Sequence, residues 1–156
     1  MKTIIIYSTK HGFTKTVAEQ LSKMVDDSVE LFDTNEVTYD IISDAEKIIF
    51  GCPVYSGKLR REMVDLINKY KTDLIEKTIG MYVCSVNEFK TSNYLEQSLS
   101  KGIINHLSSV VYAGYGVDFD HMKLFEKVAI RTIIKKGDMD TGIKVEALKK
   151  LVKKLK

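Results

Sequence analysis

Five short apolar runs recur along the chain, at Thr3–Tyr7, Val29–Phe32, Lys47–Gly51, Ile79–Cys84 and Val110–Ala113. Most are β-branched and near-continuous rather than alternating, which is how strands buried on both faces of a parallel sheet read. Between them lie segments of helical periodicity. Thr14–Val25 places Val17, Ala18, Leu21 and Val25 on one face. Lys58–Lys69, Asn93–His106, Leu124–Lys135 and Ile143–Leu155 carry similar apolar stripes. The stretch Glu36–Asp44 reads as a turn or one short helical piece. Strands alternating with helices predict βαβ units with right-handed crossovers. The expected fold is α/β: a doubly wound three-layer sandwich around a five-stranded parallel sheet. Ligands of such sheets bind beyond the carboxyl ends of the strands, so the residues after each strand are the candidates.

A chain of 156 residues suits one domain spanning 1–156 and can bury a core. Cys52 and Cys84 form no C-x-x-C pair and no metal spacing, and they read as free, buried thiols in a reducing, cytoplasmic setting. The start, MKTIIIYS, is too short in apolar residues for a signal peptide, and no run approaches transmembrane length. A net charge of +3 with no accompanying motif argues against a nucleic-acid partner. The C-terminal KKLVKKLK is the clearest basic cluster. It suits either a solvated helix face packed through Leu148, Leu151 and Leu155 or peripheral contact with anionic lipid.

The segment after the first run is the most informative. Ser8, Thr9, Lys10, His11, Gly12, Phe13 and Thr14 lead straight into the first helical stripe. The first amides of a helix lack internal partners and, with the helix dipole, attract anions. Gly12 permits a tight turn, and the threonine hydroxyls add donors. A plain N-cap would also use a hydroxyl residue here. The convergence of three hydroxyls and a glycine after a strand favours a phosphate loop. The spacing matches neither the triphosphate P-loop nor G-x-G-x-x-G, which argues against a nucleoside triphosphate or a nicotinamide dinucleotide.

After the third run come Pro53, Val54, Tyr55, Ser56 and Gly57, and after the fourth Ser85, Val86, Asn87, Glu88 and Phe89. Tyr55 can stack on a flat ring, and Ser85 and Asn87 can bond its polar rim. An ordinary strand-to-helix turn explains Tyr55 equally well. The glycine-rich Ala113–Gly116 closes the fifth run on the same edge.

Thr9-Lys10-His11-Gly12-Phe13-Thr14 resembles the flavodoxin phosphate loop, whose pattern is serine/threonine-x-threonine-glycine-x-threonine; Lys10 and His11 stand where that family has small residues. The resemblance extends over essentially the whole chain. It implies a flavodoxin-like sheet of strand order 2-1-3-4-5 and a non-covalent FMN. The phosphate would lie on Thr9–Thr14, beside Ser8, with the ring between Pro53–Gly57 and Ser85–Phe89. One branch is closer still. Ser8–Thr14, Ser85-Val86-Asn87 and the late segment FEKVAIRTIIKKGDMDTG resemble the menaquinone-dependent protoporphyrinogen oxidases of this fold. The resemblance implies electron transfer to a redox partner protein or, in the oxidase alternative, from a porphyrinogen to a quinone. No catalytic side chain and no metal is expected. A flavin-free signalling domain shares the topology, but it needs acids after the first strand and an aspartate after the third, where Ser8–Thr9 and Cys52–Pro53 stand.

Overall fold

The structure, a computed structural model, describes residues 2–116 and 142–156. Its centre is β3 (Lys47–Tyr55), flanked in parallel by β1 (Thr3–Tyr7) and β5 (Thr78–Cys84). Beyond these lie β2 (Val29–Asp33) and β6 (Ser109–Tyr115), also parallel to their neighbours. The five parallel strands thus run in the order 2-1-3-4-5 when counted among themselves, as expected. Two short antiparallel pieces were not foreseen and bring the sheet to 7 strands: β4 (Lys58–Leu59) on β3, and β7 (Gly142–Ile143) on β6.

Side chains alternate across the sheet, so each strand feeds two cores. Ile4, Ile6, Ile48, Phe50, Met81 and Val83 point to one side. There they pack against α2 (Tyr39–Asp44), α3 (Arg61–Lys69), α4 (Lys71–Leu74), α5 (Thr91–Ser98) and α6 (Lys101–His106). Ile5, Tyr7, Ile49, Tyr82 and Cys84 point to the other, against α1 (Phe13–Ser22) and α7 (Val145–Lys154). Both faces are buried, which is why the strand sequences do not alternate in polarity. Each buried aliphatic side chain contributes roughly 1.5–3 kcal/mol before entropy is subtracted.

The helix expected from Lys58 starts instead at Arg61. Ser56 (φ 53) and Gly57 (φ 76) form a two-residue turn between the paired residues Tyr55 and Lys58. Positive φ at both positions matches the twist of a tight hairpin, so β3 folds back on itself here rather than running into a helix. The helix expected over Asn93–His106 is two. Leu99 is extended (φ −113, ψ 153), and the Ser100 hydroxyl accepts from the Ile103 N–H at 3.4 Å to start α6. Leu99 and Ile103 are both buried, so the stripe survives the break. Between Glu36 and Asp44 lie the end of a 3-10 turn, Thr34–Glu36, and then α2. The predicted helix Leu124–Lys135 and most of the late segment from Phe125 onward lie outside the described residues.

Cys52 and Cys84 are free and buried. Cys52 pairs across the ladder with Val83, and Pro53 with Cys84, so the two thiols point to opposite faces of the sheet and join separate cores. That arrangement excludes a disulfide between them. Among the described residues no helix is long and apolar enough to cross a membrane.

Candidate functional site

At the carboxyl edge, the ladder of β1 continues one residue further: the Ser8 N–H donates to the Gly51 carbonyl at 3.0 Å, and Ser8 is buried. The chain then turns. The Thr9 hydroxyl oxygen accepts from the Gly12 N–H at 2.9 Å. Gly12 sits at φ 89, a left-handed conformation that any side chain would strain. Its carbonyl accepts from both the N–H and the hydroxyl of Thr16, each at 3.0 Å. The first bond inside α1 therefore starts at Thr16, and the amides of Phe13, Thr14 and Lys15 have no acceptor within the helix. They form the positive end of its dipole.

Two strands brace this turn from below. The hydroxyl of Tyr82, completely buried, donates to the Thr14 carbonyl at 2.9 Å. Thr14 and Cys84 line the same cleft, and both are buried. The Phe13 ring lies so close to Gly116 that a Cβ there would stand 2.2 Å from it.

Thr9, Lys10, His11, Phe13 and Thr14 line a cleft with Pro53, Val54 and Tyr55 of β3 and with Cys84, Tyr115 and Gly116. The cleft opens between β1 and β3, where the winding of the sheet reverses direction. It encloses about 20 Å³, room for one or two water molecules. At its mouth the Lys10 ammonium lies 5.4 Å from the centre of the Tyr55 ring. An exposed contact of this kind is worth roughly 0.5–1 kcal/mol, little enough for a ligand to displace. A small tetrahedral anion matches the donors present: helix amides, the Thr9 and Thr14 hydroxyls, and an ammonium. A flat ring has to lie over the mouth, against Val54, Tyr55 and Tyr115.

The other expected residues divide. Ser56 and Gly57 form the exposed hairpin turn beside Tyr55. Ser85 is buried and committed: its N–H donates to Gly114 at 3.2 Å, its hydroxyl to the Asn87 carbonyl at 3.2 Å, and its carbonyl accepts from the Tyr112 hydroxyl at 2.6 Å. The Asn87 side chain accepts from the Phe89 N–H at 3.0 Å and caps the 3-10 turn Glu88–Lys90. Val86 is half-buried, while Glu88 and Phe89 point to water, Phe89 with 94% of its surface exposed. Ser85–Phe89 thus stands next to the cleft without lining it, Ser85 tied to β6 and the Ser85 hydroxyl and Asn87 Oδ1 bonded within the loop. Glu88 lines a separate groove with Thr91, Leu95, Glu96 and Tyr112. Cys84, Tyr115 and Gly116 were not among the expected ligand contacts. The glycines of Ala113–Gly116 were the signal for the last two; nothing distinguishes Cys84 from a core cysteine.

Burial pushes the Cys84 thiol up to about 12, the neighbouring Thr14 side chain opposing that only in part, and burial raises Cys52 further. Neither is a thiolate nucleophile. Among the described residues no group of His, Cys, Asp and Glu is placed to hold a metal ion. A roomier cavity of about 250 Å³ lies at the opposite end of the sheet, between Val25–Asp27 and Val152–Lys156. Its charged rim pairs with itself, Lys156 with Asp26 at 3.2 Å and Lys47 with Asp27 at 3.7 Å. It is also remote from the switch point, where ligands of this architecture bind, so the smaller cleft is the candidate.

The family model of the flavodoxin domain matches residues 4–143. The chain belongs to the flavodoxin domain family. A flavodoxin of Clostridium saccharobutylicum is 29% identical over 130 residues, which cover 79% of this flavodoxin domain chain and 79% of the relative. A protoporphyrinogen IX dehydrogenase [quinone] of Leishmania major is 20% identical over 162 aligned positions, covering 97% of this chain and 68% of that protein. Among solved structures, a Fusobacterium nucleatum flavodoxin bound to flavin mononucleotide superposes with a TM-score of 0.53 at 17% identity, over 70% of this chain and 68% of that one. At that identity the likeness speaks for the fold.

Proposed function

We propose that this flavodoxin domain binds FMN non-covalently and carries electrons between redox partners. The observation that supports the reading most is the turn Thr9–Thr14: outward-facing helix amides and two hydroxyls beyond the carboxyl end of β1, at the switch point. In this reading Thr9–Thr14 hold the phosphate, with Lys10 adding charge, while Ser8 is buried in the ladder beneath. Pro53–Gly57 and Tyr115 flank one side of the ring, and the adjacent Ser85–Phe89 loop forms its other wall. FMN bound there supplies the electron-transfer chemistry; the chain's residues bind it, orient it and screen it from water. No side chain of the site needs to act as acid or base. The setting is cytoplasmic, with a soluble redox protein as partner.

The purified protein is expected to be yellow, or to become so on adding FMN, with quenching of flavin fluorescence as the readout. Gly12→Val is expected to weaken FMN binding about tenfold, because strain of 1–3 kcal/mol at a left-handed position is relieved by moving the turn. A colourless wild-type protein that ignores added FMN overturns the reading.

The long alignment with the quinone-linked dehydrogenase, together with the resemblance of Ser85-Val86-Asn87 to the oxidase branch, favours a second reading, an oxidase passing electrons from a porphyrinogen to a quinone. Complementation of a strain lacking protoporphyrinogen oxidase separates the two. Growth is expected only if the second holds.

A further inference from the structure

We infer that Tyr82 is a positioning residue for the anion-binding turn: its buried phenol fixes the Thr14 carbonyl and thereby aims the Lys15 amide of the same peptide plane and, one unit back, the amide of Thr14. The inference rests on the proposed FMN reading of that turn and adds a residue that does not touch the ligand.

Tyr82 sits mid-strand in β5, with no exposed surface, and Tyr82 and Thr14 are 68 residues apart in sequence. Its ring reaches the first turn of α1 by crossing β3 at Gly51. A Cβ on Gly51 would lie 2.0 Å from both the ring Cζ and the hydroxyl oxygen. Gly51 is therefore the gap through which the phenol passes. Gly51 lies within β3 and is buried.

The geometry makes a bracket. Thr14 is held at its carbonyl by Tyr82, while the preceding Phe13 is pinned on Gly116. A carbonyl in the first turn of a helix points along the axis away from the amide end. The Thr14 carbonyl and the Lys15 N–H belong to one planar peptide unit, so anchoring the carbonyl sets the tilt of that amide. Burial holds the phenol protonated well beyond the ordinary range, so it remains a donor at every pH at which the protein is folded.

Tyr82→Phe removes the hydroxyl and keeps the ring, so the core stays filled. The test compares affinities of wild-type and Tyr82→Phe apoprotein for FMN and for riboflavin, which lacks the phosphate, together with hydrogen exchange at Thr14 and Lys15. The bracket predicts a loss of about fivefold to tenfold for FMN, the worth of one buried hydrogen bond, with riboflavin affinity within twofold of wild type. The two amides are expected to exchange faster while those of β5 do not. A general loosening of the fold would instead weaken both flavins equally, and that result overturns the inference. So does FMN binding that the substitution leaves unchanged in a wild type that binds FMN. A wild-type chain that binds neither flavin removes the functional reading first, and the inference with it.

Discussion

Gly51→Ala is expected to destabilise the protein by about 2–4 kcal/mol, read as a lower urea midpoint at unchanged slope. The added methyl would meet the Tyr82 ring at 2.0 Å. Tyr82 has no exposed surface, and its ring is packed among residues of α1 and α7, so it has no empty space to swing into. Overpacking a core costs roughly 1–3 kcal/mol, and displacing the ring also costs its hydrogen bond to Thr14, about 1 kcal/mol. Gly102→Ala is the control: it sits in α6 with nothing within 4 Å of a new Cβ, and it should gain up to about 1 kcal/mol. Equal midpoints for Gly51→Ala and wild type would show that the ring does not run past Gly51.

The second large effect is alkaline. The Cys84 thiol is raised from 9.0 to about 12, chiefly by burial; Cys52 is raised further, and Tyr82 well above 10.0, for the same reason. Each folded-state pKa lies above its unfolded value, so the folded state keeps protons that the unfolded chain releases. The contribution is complete below about pH 9, and it is lost as the pH rises toward 12. Within that window each group removes roughly 1 kcal/mol of stability per pH unit. Against a total of about 5–15 kcal/mol, three such groups bring unfolding before the window ends. Denaturant titrations should give constant stability from pH 7 to about 8.5 and a steep fall above it. A flat profile to pH 11 would mean that these groups are hydrated in the folded state.

The parallel sheet was legible because burial on both faces leaves its mark in every strand: Thr3–Tyr7 and Ile79–Cys84 carry no polar alternation. The small antiparallel pieces were not. Lys58-Leu59 continues the apolar stripe of α3, so helical periodicity alone cannot separate it. The Ser56-Gly57 turn signal was present, but it was outweighed by that periodicity. Leu99 and Ser100 hid the break between α5 and α6 for the same reason: a stripe records which side chains are buried and not whether the backbone is continuous. At the site, the turn around Gly12 was readable from local chemistry, since cap, hydroxyls and glycine all act within a few residues. Tyr82 was not, because its bond to Thr14 depends on how β5, β3 and α1 stack. The Ser85–Phe89 loop is read as a ligand loop from its residue types; that the Ser85 hydroxyl and the Asn87 Oδ1 bond within the loop depends on its folded shape.

The two sulfurs face away from each other through the full thickness of the sheet. Oxidants that stitch neighbouring thiols together elsewhere find nothing to join inside this molecule, and neither thiol ionises readily enough to react first. The two thiols thus give the chain no internal disulfide in which to store electrons.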